Sequence, residues 1–186
     1  MGLNTMATPT LSTPIEIGHC RLKNRLVALP VFTGYADPDG HVSPLLLRHY
    51  DRLAASGVSM VVVANVAVSP EGVTSKYNLR IDAERYVPGL KDLAEAIQSH
   101  GALACIQLNH AGRFAKTDQP LIASPTDASH LSYHISALKG FMHAFPFEKR
   151  FRLTNFFLKQ IATWRRAMTE AEIDAVVVQF GQAARR

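Results

Sequence analysis

The sequence predicts an α/β fold in which parallel strands alternate with helices. Three apolar runs are separated by two segments with helical periodicity, and a glycine follows each helical segment. The apolar runs are continuous and rich in β-branched residues, which is typical of strands buried on both faces of a parallel sheet. The order strand, helix, strand, helix, strand therefore indicates βαβαβ connectivity.

The N-terminal part predicts a hairpin and then the first core strand. Residues 1–13 are expected to form a loose N-terminus, and residues 14–186 to form one unit. The segment 15–25 predicts a short hairpin with Gly18 near its turn. The first core strand is predicted at 26–30, ending at Pro30, because proline has no N–H to donate to a strand ladder.

Two capped helices and two more strands follow. Ser43 and Pro44 predict a helix start, with serine as N-cap and proline in the first turn. The second and third strands are predicted at 58–64 and 102–108. The buried helix faces are predicted from helical spacing, and they comprise Leu46, Tyr50, Leu53 and Ala54 in the first helix and Leu90, Leu93, Ala94 and Ile97 in the second. A barrel requires the three strands side by side in chain order, whereas a doubly wound fold places the first strand between the other two.

The remainder contains a long connection and a last helix. Residues 110–168 are unusually long for a strand-to-helix connection, with an insert expected at 129–166 and six phenylalanines within 141–157. Thr169 and Glu172 have the spacing of a capping box. The apolar face of this helix is predicted to comprise Ile173, Val176, Val177, Phe180 and Ala184. A fourth strand is expected next, and the 186 residues contain none.

Composition excludes several classes of function. Hydrophobic residues make up 47% and charged residues 19%, as in globular proteins, and no apolar run reaches the roughly 18 residues of a membrane helix. The net charge is +5, but the basic residues are scattered, so neither a nucleic-acid nor a membrane partner is expected.

Residues 1–14 lack the features of a signal peptide, and Cys20 and Cys105 form no CxxC pair. We expect a cytoplasmic protein without a disulfide, in which Cys105 is a buried free thiol.

Common cofactor motifs are absent from the sequence. It contains no GxGxxG or Walker loop, which argues against a classical dinucleotide fold, and no GxSxG nucleophile motif. No cluster of His, Cys and Asp has the spacing of metal ligands, so no metal is expected.

Candidate site residues follow the predicted strands. Chemistry in parallel α/β folds takes place at the carboxyl ends of strands. The residues at these ends are Thr33, Asn65, Gln107, Asn109, His110 and Arg113. Each has a structural explanation when taken alone: a polar side chain at a strand end often binds loop backbone, and a single histidine is more often structural than catalytic.

Taken together, these segments resemble the old yellow enzyme family of NADH:flavin oxidoreductases. The strongest match is the segment 106–113, which is similar to the signature of the family's third strand. The other matching segments, in the family's order and spacing, are 17–18, 23–27, 30, 39–43, 68–72, 168–173 and 180–185.

The resemblance implies an FMN-binding TIM (β/α)8 barrel, of which this chain contains about three N-terminal βα units and the long insert. NADH or NADPH would supply a hydride, which passes through FMN to a small electron-poor substrate, an α,β-unsaturated carbonyl or enoyl compound. The FMN-contacting positions implied by the family are Leu29, Pro30, Val31, Phe32, Thr33, Asn65 and Gln107. Gln107 would bind the pyrimidine edge of the flavin, where a side-chain amide can both donate and accept.

Three departures from the family pattern accompany the resemblance. Asn65 stands where the family usually has Ala or Gly. The run 31–35 is closer to the dienoyl-CoA reductase branch, which favours Thr33 as the residue that tunes the flavin potential. The family's substrate anchor follows the fourth strand, beyond Arg186, so no catalytic residue is assigned.

Three hypotheses follow from the sequence. The first is an FMN-dependent oxidoreductase present as a truncated chain, which would show no appreciable turnover alone and would associate with a complementing C-terminal half or form a homo-oligomer. The second is a catalytically inactive barrel fragment that acts as an interaction module. The third is a doubly wound protein that binds a nucleotide phosphate, and the absence of a glycine-rich loop argues against it.

Overall fold

The computed structural model describes residues 10–112, 115, 121–122 and 166–186. The phenylalanine-rich segment 141–157 and the predicted insert, except for its last residue, lie outside the described residues, as does Arg113.

The predicted N-terminal hairpin is confirmed. Strand β1 (Ile15–Ile17) pairs antiparallel with β2 (Cys20–Leu22), and Ile17 lies opposite Cys20. Gly18 in the turn has a φ of +57°, a conformation that glycine adopts without steric cost.

Three of the four parallel strands in the main sheet lie in the order that the barrel hypothesis requires. Strand β4 (Met60–Ala67) lies between β3 (Val27–Ala28) and β6 (Leu103–Asn109), and both pairings are parallel. The first, second and third core strands are therefore adjacent in chain order, which excludes the doubly wound arrangement and with it the third hypothesis.

Strand β3 is shorter than predicted and comprises only Val27 and Ala28. It pairs with Met60 and Val61 at the start of β4. The short strand β5 (Leu79–Arg80) pairs with Val66 and Ala67, at the carboxyl end of β4.

Helices α1 (Pro44–Ala55) and α2 (Val87–Gln98) pack against each other and against the sheet. The Ser43 hydroxyl accepts a hydrogen bond from the backbone N–H of Leu46 at 3.0 Å, as predicted for the N-cap of α1. The buried side chains agree closely with the predicted faces, and they are Leu46, Tyr50 and Ala54 in α1 and Leu90, Leu93 and Ile97 in α2.

Helix α3 (Glu170–Arg185) begins at the predicted capping box. Residues of its predicted apolar face differ in burial. Phe180 packs against the core, and Ile173 and Val176 are partly buried, whereas Val177 is 65% exposed and Ala184 is exposed. Ala183, which was not among the predicted residues, is buried.

The last described pairing is between two short parallel strands, β7 (Leu121–Ile122) and β8 (Arg166–Ala167). Within the described part of the chain, no helix is both long and apolar enough to span a membrane.

Candidate functional site

The segment after β3 presents apolar side chains to solvent. Leu29 is 72% exposed, and Val31 and Phe32 are also exposed, directly beyond the carboxyl end of the strand. Pro30 is partly buried. The Thr33 hydroxyl accepts a hydrogen bond from the backbone N–H of Tyr35 at 3.3 Å, so it makes the turn contact expected of a structural threonine.

Strand β6 separates its polar and apolar side chains between the two faces of the sheet. Gln107 is exposed near the carboxyl end of the strand, whereas Ile106 and Leu108 pack against the core. Cys105 lies two residues before Gln107 and is a free, exposed thiol. The prediction that Cys105 is buried was wrong, because alternate residues of a strand point to opposite faces and Cys105 has the same parity as Gln107.

Asn65 lies inside β4, because the strand extends to Ala67. The sequence had predicted that Asn65 directly follows the strand, and this prediction was wrong. The pairing of β4 with β6 shifts between Val63, opposite Ile106, and Val66, opposite Leu108. Two residues, Ala64 and Asn65, thus face the single residue Gln107, which is the definition of a β-bulge. The Asn65 side-chain oxygen is buried and has no hydrogen-bond partner in the structure.

His110 is held in a packed environment beside the turn after β4. Its Nδ1 accepts a hydrogen bond from the N–H of Gly112 at 3.1 Å, and its Nε2 is buried without a hydrogen-bond partner. Burial lowers the pKa of His110, while the nearby carboxylate of Glu71 opposes that shift. Gly72 is required here, since a Cβ at this position would lie 2.7 Å from the His110 ring.

Three polar residues near the site carry no motif in the sequence. Gln179 of α3 donates from its amide to the Glu71 carboxylate at 3.2 Å and joins the last helix to the turn after β4. Tyr50 and Asn78 each make a hydrogen bond to the bulge in β4. Helical spacing predicted that Tyr50 is buried, but its hydroxyl contact depends on the tertiary fold.

The arrangement is suited to a flat ligand with an apolar face and a polar edge. Leu29, Val31 and Phe32 offer apolar surface, Gln107 offers an exposed amide, and the Asn65 oxygen is an acceptor without a donor. The ring system of FMN has both features, so the residues present fit this group. No group of three His, Cys, Asp or Glu residues within the described ranges could hold a metal ion.

Comparison with known proteins identifies related oxidoreductases. A sequence model of the NADH:flavin oxidoreductase / NADH oxidase family matches residues 10–186. An NADPH dehydrogenase of Halalkalibacterium halodurans is 43% identical over 103 residues, which are 55% of this chain and 30% of the relative. An NADH oxidase of Thermoanaerobacter brockii is 36% identical over 129 residues, which are 66% of this chain and 20% of the relative.

A solved structure supports the fold. The old yellow enzyme from Pichia sp. AKU4542 superimposes with a TM-score of 0.71 at 21% identity, over 96% of this chain and 42% of that protein. The chain thus shares the α/β fold with a parallel sheet that these TIM-barrel enzymes have. It spans 30% and 20% of the lengths of the two curated relatives.

Proposed function

The chain belongs to the NADH:flavin oxidoreductase / NADH oxidase family, and from this premise we propose that it builds part of an FMN site in an NAD(P)H-dependent oxidoreductase. FMN, when bound, would take a hydride from NADH or NADPH and deliver it to a small electron-poor substrate. The observation that carries the proposal is that Gln107 lies exposed at the carboxyl end of β6, directly opposite the bulge containing Asn65.

Gln107 has the chemistry to bind a pyrimidine-like edge. Its carboxamide offers one acceptor and two donors, so it can bind a ring edge in which carbonyl and N–H groups alternate. A hydrogen bond at this edge also alters the electron affinity of a flavin. The unpartnered oxygen of Asn65 adds an acceptor at the same level of the sheet.

The apolar residues after β3 have a different role. Leu29, Val31 and Phe32 would cover a ring face and exclude water, with Pro30 and Thr33 shaping the backbone between β3 and Tyr35. Excluding water strengthens the polar contacts made by Gln107, because electrostatic interactions are stronger at low dielectric. We further propose that Thr33 tunes the flavin potential, as the resemblance of residues 31–35 implies.

The substrate class follows from the same resemblance. We propose an α,β-unsaturated carbonyl or enoyl compound as hydride acceptor, with a complementing C-terminal half or a second copy of the chain as partner. The free thiols of Cys20 and Cys105 are compatible with a reducing cytoplasm. No observation favours the alternative of an inactive interaction module.

An FMN titration of the purified chain tests the proposal. Gln107→Leu removes the amide and leaves polar flavin atoms unpaired, which costs about 1–3 kcal/mol and weakens FMN binding about 5- to 150-fold. Flavin fluorescence and the visible spectrum measure binding, and NADPH oxidation with an enone acceptor measures turnover.

The matched control is Gln98→Leu, which changes an exposed glutamine at the end of α2 and is expected to leave FMN binding unchanged. Equal FMN affinity in wild type, Gln107→Leu and Gln98→Leu would remove Gln107 from the site. Absence of FMN binding by the wild-type chain, both alone and together with a complementing C-terminal half, would overturn the proposed function.

A further inference from the structure

Buried side chains bind two backbone groups within the bulge in β4. The N–H of Ala64 donates to the Tyr50 hydroxyl at 3.0 Å. The carbonyl of Asn65 accepts from the side-chain amide of Asn78 at 2.7 Å. The two partners come from different parts of the fold, α1 and the segment before β5, so they hold the bulge from separate directions.

Tyr50 is suited to a fixed role. It is 2% exposed, and its ring packs edge-on against the ring of His49 at 5.1 Å between centroids. Burial raises the pKa of the Tyr50 phenol, so its hydroxyl stays protonated over the physiological pH range. The hydroxyl oxygen is therefore a neutral acceptor that remains available to the Ala64 N–H.

The side chain of Asn78 is fixed by four hydrogen bonds. It is 1% exposed, and its side-chain oxygen accepts from both the N–H and the hydroxyl of Thr74, at 3.0 and 2.7 Å. Its amide nitrogen donates to the carbonyls of Asn65 and Leu79, at 2.7 and 2.8 Å. All four hydrogen-bonding positions of the carboxamide are occupied, so the side chain has one orientation.

The bulge also decides which residues of β4 enter the core. Val61 and Val63 are buried in the core before the bulge, and Val66 and Val68 after it, so the core-facing series changes from odd to even positions. A regular strand would continue the odd series through position 65, and would place the Asn65 carboxamide among the valines. The bulge therefore keeps Asn65 out of that series and sets it opposite Gln107.

From these contacts, and resting on the FMN function proposed above, we propose that Tyr50 and Asn78 are positioning residues of the cofactor site. They hold the backbone of Ala64 and Asn65 in the bulged form, and the bulge sets the position of Asn65 relative to Gln107. Neither residue is assigned a contact with the cofactor. Bulges commonly re-aim side chains next to active sites, and here the structure identifies the two side chains that stabilise one.

The test is Tyr50→Phe, which keeps the ring and removes the hydroxyl. The matched control is Tyr86→Phe, because Tyr86 is equally buried and its hydroxyl donates to the carbonyl of Asp39, away from β4. Amide hydrogen exchange of Ala64, measured by NMR without cofactor, is expected to accelerate on the order of tenfold in Tyr50→Phe, the effect of losing one hydrogen bond. Tyr86→Phe is expected to leave that amide unchanged.

A second readout concerns the cofactor. FMN affinity is expected to fall on the order of tenfold in Tyr50→Phe, with a shift of the visible flavin spectrum, while Tyr86→Phe leaves both as in wild type. Asn78→Asp removes the donor to Asn65 at nearly constant shape, and the same changes in FMN affinity and spectrum are expected from it.

The outcomes separate the two proposals. If amide exchange of Ala64 is unchanged in Tyr50→Phe, the claim that the Tyr50 hydroxyl stabilises the bulge is wrong. Faster exchange with FMN affinity and spectrum unchanged, or changed equally by Tyr86→Phe, would overturn the positioning role. If the wild-type chain binds no FMN, either alone or together with a complementing C-terminal half, the proposed function fails and the cofactor role fails with it, while the exchange measurement still decides whether Tyr50 holds the bulge.

Discussion

On one face of the sheet, Val61, Val63 and Val66 of β4 form a core with side chains of α1 and α2; on the other face, Cys105 and Gln107 of β6 are exposed. The first face buries aliphatic side chains, each of which contributes about 1.5–3 kcal/mol when fully buried. The second face carries an amide and a thiol, which contribute little to folding while they remain in solvent. One face of the sheet thus stabilises the fold, and the other face carries the groups proposed to bind the cofactor.

The largest expected effect belongs to the helix-covered face. Ile97 of α2 is 0% exposed, and Ile97→Ala leaves a cavity that is expected to lower the free energy of unfolding by about 2–5 kcal/mol. Urea denaturation measures this loss. Val178→Ala on the exposed side of α3 is the control and is expected to change stability by less than about 0.5 kcal/mol. If both variants were equally stable, the assignment of stability to this face would be wrong.

A smaller effect, of opposite sign, is expected at the bulge. The Asn65 oxygen is buried without a donor, a situation that costs about 1–3 kcal/mol, so Asn65→Ala is expected to make the cofactor-free chain as stable as wild type or more stable. The same substitution is expected to reduce the stabilisation gained on adding FMN, since at a given FMN concentration a tighter-binding ligand stabilises the folded state more. Thermal unfolding with and without FMN checks both parts. A variant that is destabilised without FMN and stabilised by FMN as strongly as wild type would contradict the assignment of Asn65 to the site.

The smallest expected effect is a dependence of stability on pH from His110. Burial places the folded-state pKa of His110 below its ordinary value of 6.5, so between these two pKa values the unfolded chain binds more protons than the folded chain. The contribution of neutral His110 is complete above pH 6.5 and is lost as pH falls from there through the folded-state pKa.

Urea midpoints across this pH window test the assignment. His110→Gln is expected to flatten the dependence, whereas His19→Gln at the exposed hairpin turn is expected to retain it. Identical pH profiles for wild type and His110→Gln would show that His110 is not responsible for the loss.

Local patterns in the sequence were enough to locate the helix starts and the central strand. Ser43 before Pro44, and Thr169 three residues before Glu172, predicted helix starts that the structure confirms, because a cap is made by residues within one turn of each other. The continuous valine run predicted a buried parallel strand, because burial on both faces requires apolar side chains at every position.

Local patterns could not predict where the strands end or which face of β6 is exposed. Strand β3 ends at Ala28 and β4 continues to Ala67, and both ends depend on pairings between segments that are far apart in the chain. Cys105 stands in an apolar run that does not reveal which parity faces the helices, so its exposure could not be predicted from the run itself.

The sequence by itself selected Leu29 to Thr33, Asn65 and Gln107 as candidate site residues, through their resemblance to a family pattern. It determined neither their relative positions nor the side chains that hold them in place. Only the tertiary structure placed Asn65 within β4, in a bulge opposite Gln107. The physical reason is that a bulge needs partners for the backbone groups it removes from the ladder. Those partners, Tyr50 and Asn78, lie 14 and 13 positions from the residues they bind and meet them only when α1 and the segment before β5 pack against β4.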